Sequence, residues 1–242
     1  MEYLVKLISK NRPGTRLNAK GIVLHETATP GADAEREYLY FNRNNVKASA
    51  HAFVDNKCVI QTIPYDEMAW HAGKTANSNY IGIEMCRPKN YDEDYFNAMY
   101  QNTVSLFADL FVNQLGIHEV TSGNLMTHAE VSAKWRETDH TDPNAYFKEY
   151  GKTIDGFRKD VQRKIDEGEI DMAKLEELEN RIAKLENKMV YNYIDTNMPD
   201  WARPTIQKLV DKGYLKGDGN GLGLTDEMLK IFVILDRAGN FE

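Results

Sequence analysis

The chain has few cysteines, no long apolar run and no excess of positive charge, and each shortage closes off a class of protein. Two cysteines among 242 residues, Cys58 and Cys86, cannot build a disulfide framework. The fold must then rest on a packed core, and a reducing compartment suits it. No window approaches the run of about 20 apolar residues that crosses a bilayer, so no membrane insertion is expected. The formal net charge of −7 argues against sequence-independent binding to nucleic acid, which needs a basic face. The opening MEYLVKLISKNRPG lacks the apolar stretch and small-residue cleavage site of a signal peptide, and synthesis in a cytoplasm is the expectation. Histidine is scarce as well, at six residues, and no HExxH pair occurs.

What is present suffices for a globular protein. With 42% hydrophobic residues the chain can bury a substantial core, in one large domain or two small ones. Strand candidates are GIVLHET (21–27), ASAHAFVD (48–55), CVIQTIP (58–64), YIGIEMC (80–86) and LMTH (125–128). Asp55-Asn56-Lys57 reads as a hairpin turn between the second and third. Helices are expected over 33–43 and 92–115, the latter from the spacing of Phe96, Met99, Val104, Phe107, Leu110 and Phe111. Strands mixed with helices imply an α/β domain over 1–150, a central mixed sheet with helices packed on it.

Beyond 150 the composition changes. Ile154, Phe157, Val161 and Ile165 form a helical stripe expected to end at Gly168. Leu175, Leu178, Ile182, Leu185 and Met189 then follow at alternating three- and four-residue steps, an a/d seam flanked by Glu and Lys. The segment 151–190 is read as a helical linker with a short coiled coil, self-associating through 172–190; a linker helix lying on a neighbouring domain is the alternative. The last block, 191–242, is read as a small helical domain. One short helix is expected around Trp201, Ile206, Leu209 and Val210, and a second, capped by Thr225, carrying Met228, Ile231, Phe232 and Leu235. GDGNG (217–221) fails as a calcium loop, because Leu222 and Leu229 stand where oxygen ligands are needed.

The chemistry-bearing residues cluster. Strand alternation puts Gly82, Glu84 and Cys86 on one face of YIGIEMC. Glu84 is thus a carboxylate in an apolar strand, which calls for a partner or a function. His25 stands at the C-terminal end of GIVLHET, and His128, His140 and Asp142 lie close together in LMTHAEVSAKWRETDHTDPN (125–144). His25, His128 and one of His140, Asp142 or Cys86 could hold a zinc ion, with Glu84 as base toward an activated water. Alternatively His128, His140 and Asp142 decorate a polar loop, and His51 and His71 are satisfied structural histidines.

The order LHETAT, SAHAFVD, AWHAG, IGIEMC and THAEVS…TDHTDPN resembles the zinc-dependent N-acetylmuramoyl-L-alanine amidases related to peptidoglycan recognition proteins, over about residues 1–150. The resemblance implies the peptidoglycan-recognition-type amidase fold, with helices on both faces of the sheet, and cleavage of the amide between muramic acid and L-alanine. It implies His25, His128 and Asp142 as ligands of Zn2+, Glu84 as the residue that takes the proton of the attacking water, and His140 where many members carry an oxyanion-stabilising lysine. His51 and His71 are assigned to substrate binding. The tail string DWARPTIQKLVDKGYLKGDGNG resembles half of a surface-layer homology repeat. It is expected to bind a cell-wall polymer, with Trp201, Tyr191, Tyr193 and Tyr214 available to stack on sugars. The modular build without a signal peptide suggests an endolysin for a Gram-positive host, made in the bacterial cytoplasm and acting on the wall after release. A bacterial or prophage autolysin, or a non-catalytic peptidoglycan-binding protein, is the alternative.

Overall fold

The computed structural model describes residues 2–186 and 190–241, with backbone alone for 183–186. The chain divides into two compact units, residues 1–170 and 171–242. Among the described residues of the first unit, six strands form one mixed sheet: β1 Glu2–Val5, β2 Ile22–Glu26, β3 Ala52–Val54, β4 Cys58–Gln61, β5 Ile81–Met85 and β6 Leu125–Thr127. Their order is β1-β4-β3-β5-β2-β6, with every pair parallel except β3–β4. That antiparallel pair is the expected hairpin. The Asp55 carboxylate closes its turn by accepting from the backbone N–H groups of Lys57 and Cys58.

Parallel neighbours require crossovers, and helices supply them. α1 (Ala34–Arg43) links β2 to β3, α2 (Gly73–Asn77) links β4 to β5, and α3 (Glu93–Asp109) runs on through a π-helical turn, Leu110–Gln114, toward β6. α4 (His128–Trp135), α5 (Asn144–Glu149) and α6 (Ile154–Glu186) follow. On one sheet face Ile22, Leu24, Ile81, Ile83 and Met85 pack against Phe96, Met99, Phe107 and Phe111 in the main core. On the other, Val23 meets Ala72, Tyr80, Met126 and Val131, while Phe53 and Ile60 are covered by Ala34 and Cys86. The expected strands and the α/β architecture are therefore present, with helices on both faces.

Two elements that begin in the first unit depart from the expectation, β1 and α6. β1 was not anticipated: EYLV is largely exposed and gains its strand form by pairing with β4 at the sheet edge, Glu2 beside Cys58 through Val5 beside Gln61. Gly168 does not end a helix; α6 runs through it, because one interior glycine costs only about 1 kcal/mol and strong helix formers surround it. Phe157, Val161 and Ile165 of α6 are buried in the main core, so the start of this helix is part of the first unit. Farther along, Met172, Leu175, Leu178 and Ile182 are all exposed, a bare apolar seam; the Leu185 side chain and Met189 lie outside the described residues.

The second unit has its own small core of Met198, Ala202, Ile206, Leu209, Leu224, Leu229 and Val233. α7 (Arg203–Asp211) packs there with α8 (Asp226–Arg237), whose cap Thr225 accepts from the Met228 N–H. The buried face of α8 is Leu229 and Val233, leaving Met228, Ile231 and Leu235 exposed, contrary to the expected stripe. In a unit this small the position of α7 decides which face of α8 is inside. Tyr191 is also corrected: it is buried in this core with its hydroxyl on Asp226, so it cannot stack on a ligand.

Phe157 is fully buried, and its truncation leaves a cavity the size of a phenyl ring. Phe157→Ala is expected to destabilise the first unit by about 3–5 kcal/mol, read from urea unfolding.

Candidate metal centre and substrate pocket

The site forms where β2, β5 and β6 end. His25 of β2 and Glu84 of β5 occupy the same register position on adjacent parallel strands. Two residues before Glu84, on the same face, is Gly82. A Cβ there would lie 2.4 Å from the His71 ring, so glycine is what lets His71 approach the sheet and reach His25. His128 is the first residue of α4. Thr127 caps that helix in a reciprocal pair with Glu130, and Arg158 of α6 holds Glu130 by an ion pair while donating to the Leu125 carbonyl. Asp142 is brought beside His128 through its carbonyl, which accepts from the Ala129 N–H at 3.1 Å.

Hydrogen bonding determines which nitrogens face inward. The Tyr80 carbonyl can only accept, so His71 donates to it through Nε2 (3.1 Å) and leaves Nδ1 bare. That Nδ1 accepts from His25 Nε2 at 3.0 Å, which leaves the His25 Nδ1 lone pair pointing into the site. Burial lowers the pKa of both rings, consistent with neutral imidazoles in this chain. His128 engages Thr138 Oγ1 through Nε2 at 3.1 Å and turns its own Nδ1 inward. The two Nδ1 atoms are 3.0 Å apart. Asp142 stands across them, Oδ2 3.2 Å from His25 and Oδ1 3.1 Å from His128. Burial pushes the Asp142 carboxyl up, but the two imidazoles outweigh it and hold the pKa below the usual carboxylate range.

Two imidazole nitrogens and a carboxylate, all within 4.8 Å of one another, form a group able to hold a metal ion. Lone pairs converging this closely repel unless positive charge sits among them, and an N,N,O set with the rear nitrogens anchored suits a divalent cation. Of the open candidates for the third position, Asp142 is the one in place. His140 stacks on His128 with ring centroids 4.6 Å apart, its side chain mostly exposed and its Nδ1 3.7 Å from Asp142 Oδ1. Cys86 is buried among Ala34, Ala50 and Phe53.

His51 has a different environment from the one assigned to it. It is fully buried, accepts from the Gly82 N–H at Nδ1 and donates to the Glu67 carbonyl at Nε2. Burial drives its pKa down to about 4, and with both nitrogens used it ties β5 to a loop and has no free atom for substrate. His71 borders the pocket, but its ring nitrogens are spent on His25 and Tyr80, which makes it an anchor for the His25 ring.

A pocket of about 290 Å³ opens over the triad, lined by Glu84, His140, Trp70 and, from α1, Glu37, Tyr40 and Phe41. Glu84 Oε2 is buried and finds no partner among the described residues. Burial, reinforced by Asp142, Glu37 and Glu26, raises its pKa well above the ordinary carboxylate value. Glu26, next to His25, is pushed up to about 7 by burial against the opposing Arg87. Glu26, Glu37 and Thr138 were not singled out in the sequence. Glu37 did leave a signal: it lies on the Ala34–Phe41 stripe of α1, an acid at an apolar position. Thr138 left none, since a threonine in a polar loop is unremarked until the fold sets it behind His128.

Residues 15–145 match the family model described as N-acetylmuramoyl-L-alanine amidase. The chain is 32% identical over 162 residues to Protein Ami of Listeria monocytogenes, across 65% of this chain and 17% of that protein. It therefore spans about a sixth of the length of this curated relative. Among solved structures, the Staphylococcus aureus hydrolase AmiA in complex with its ligand is similar with TM-score 0.62 and 26% identity, over 68% of this chain and 83% of that one. A mutant endolysin from Bacillus subtilis is similar with TM-score 0.55 and 28% identity, over 66% and 99%.

If His71 positions His25 as a ligand, its loss should weaken the centre without dismantling the sheet. His71→Ala is expected to lower the affinity for a divalent cation by about tenfold to a hundredfold, measured by competition with a chromogenic chelator, with an unchanged far-ultraviolet dichroism spectrum.

Proposed function

Because the chain belongs to the N-acetylmuramoyl-L-alanine amidase family, we propose that its first unit hydrolyses the amide between N-acetylmuramic acid and L-alanine in bacterial peptidoglycan. The observation that carries this reading is the convergence of His25 Nδ1, His128 Nδ1 and the Asp142 carboxylate beneath a pocket that also holds Glu84. Zn2+ is the ion we assign to His25, His128 and Asp142; bound there it would supply Lewis acidity toward the lactyl carbonyl and lower the pKa of water. Glu84, with its raised pKa, takes the proton of the attacking water and returns it to the L-alanine nitrogen as the amide breaks. We assign to His140, exposed and stacked on His128, the donation of a hydrogen bond to the developing oxyanion. Trp70, Tyr40 and Phe41 supply apolar lining to the pocket. A purely binding role is disfavoured by the presence of both Asp142 and Glu84, since recognition alone requires neither a third ligand nor a buried base.

For the whole chain we propose an endolysin acting on the wall of a Gram-positive host after synthesis in the cytoplasm, with an autolysin as the alternative. Among the described residues no helix is long and apolar enough to cross a membrane. We assign residues 191–242 to binding a cell-wall polymer, with the exposed Trp201, Tyr193 and Tyr214 as stacking surfaces, and the part of 151–190 beyond residue 170 to a linker whose seam of Leu175, Leu178 and Ile182 pairs with a second copy. Pairing would give two tails to each particle and raise wall avidity.

Mass spectrometry of digested peptidoglycan is expected to find new muramic-acid lactyl carboxyls and L-alanine amino termini. Glu84→Gln should cut that activity by about a hundredfold to ten-thousandfold while metal content stays the same; unchanged activity removes Glu84 from the mechanism. Leu178→Glu is expected to sediment as a monomer where the parent chain is a dimer, and to bind purified walls more weakly.

A further inference from the structure

The pocket over the metal triad is also lined by α1, whose Glu37 has no part in the reaction proposed above. There Glu37 is only 5% exposed, yet its Oε1 is buried without a partner among the described residues. Its carboxyl is otherwise held by the Thr29 side chain. Thr27, equally buried, also carries an unpartnered oxygen on the same pocket, as does Glu84. Buried polar atoms left unmatched are rare, and each costs about 1–3 kcal/mol. With Glu84 already given to proton transfer and Glu26 facing Arg87, the bare oxygens of Glu37 and Thr27 mark a place on this pocket built to be completed by a ligand. Asp142 is assigned to the metal, so Glu37 and Glu84 are the carboxylates left on the pocket, and no lysine or arginine lines it among its described lining residues. The aromatic faces of Tyr40 and Phe41 leave Glu37 as the polar feature that α1 contributes.

We propose that Glu37, with Thr27, forms a donor-recognition subsite, in which Glu37 Oε1 accepts an N–H or O–H from the substrate and the acidic wall rejects a substrate carboxylate at that place. This rests on the amidase reading and extends it to substrate choice. The stem peptide supplies both forms of such a group, because the residue after L-alanine carries either a free carboxylate or its carboxamide. The carboxamide donates to Glu37, whereas the carboxylate meets like charge in a confined space where solvent screens little. The enzyme is therefore selective for amidated stem peptides.

The test compares muramoyl-L-alanyl-D-isoglutamine with its free-acid counterpart. The metal-loaded parent chain should cut the carboxamide with kcat/KM at least tenfold higher. Glu37→Gln, nearly isosteric and able to donate to a carboxylate, should shrink that ratio below threefold while keeping the parent melting temperature. Equal or reversed preference in the parent, or a full ratio retained in Glu37→Gln, overturns the subsite. If neither compound is cut, the amidase reading falls instead, and the subsite is judged by calorimetric titration of the chelator-treated chain with both compounds. There the carboxamide must bind tenfold more tightly than the acid, and equal affinities overturn the proposal.

Discussion

Two imidazole nitrogens facing each other at 3.0 Å, with a carboxylate across them, form the constraint on which the rest of this structure depends. Such an arrangement is repulsive by itself, and it persists only because each group is held from behind. His71 and the Tyr80 carbonyl fix His25, Thr138 fixes the far nitrogen of His128, and the Ala129 N–H fixes the Asp142 backbone. Each anchor comes from a different stretch of chain. The triad is therefore as rigid as the packing of loops and helices around the C-terminal ends of the strands.

The sheet supplies that rigidity by dividing its labour between two faces. Ile22, Leu24, Ile81, Ile83 and Met85 bury one face against α3, and α6 seals the same core with Phe157 and Val161. With that side anchored, the alternate positions of β2 and β5 can carry His25, Gly82 and Glu84, residues that contribute little to a core. The helix that seals the core also reaches the site, since Arg158 of α6 braces Glu130 and thereby the first turn of α4. Core packing and site geometry are thus coupled through one side chain, and the segment after 150 takes part in both.

Much of this was legible in the sequence. The alternation in YIGIEMC placed Glu84 away from the core, and the hairpin, the core strands and the long helix 92–115 followed from composition and period. His25, His128 and Asp142 could be named as one group because the order of five motifs carried the pattern. The misreadings share a cause. His51 appears in SAHAFVD much as His25 appears in LHET, a histidine in an apolar strand. What separates them is the Gly82 N–H and the Glu67 carbonyl, which lie far along the chain and saturate His51. β1 and the continuation through Gly168 were likewise decided by neighbours, an edge of β4 in one case and uninterrupted helix formers in the other.

By itself the sequence determined the inventory: which strands bury an apolar face, which positions alternate away from it, and that few histidines and carboxylates were available for chemistry. Residue type and period are local properties, and they survive in one dimension. Only the tertiary structure decided which lone pairs were free. It did so by assigning each imidazole its hydrogen-bond partners, leaving Nδ1 of His25 and His128 bare while consuming both nitrogens of His51 and His71. It also decided that Glu37 and Glu84 share a pocket without cationic partners among its described lining residues. A side chain's chemistry depends on what stands within a few ångströms of it, and that is set by how distant segments pack.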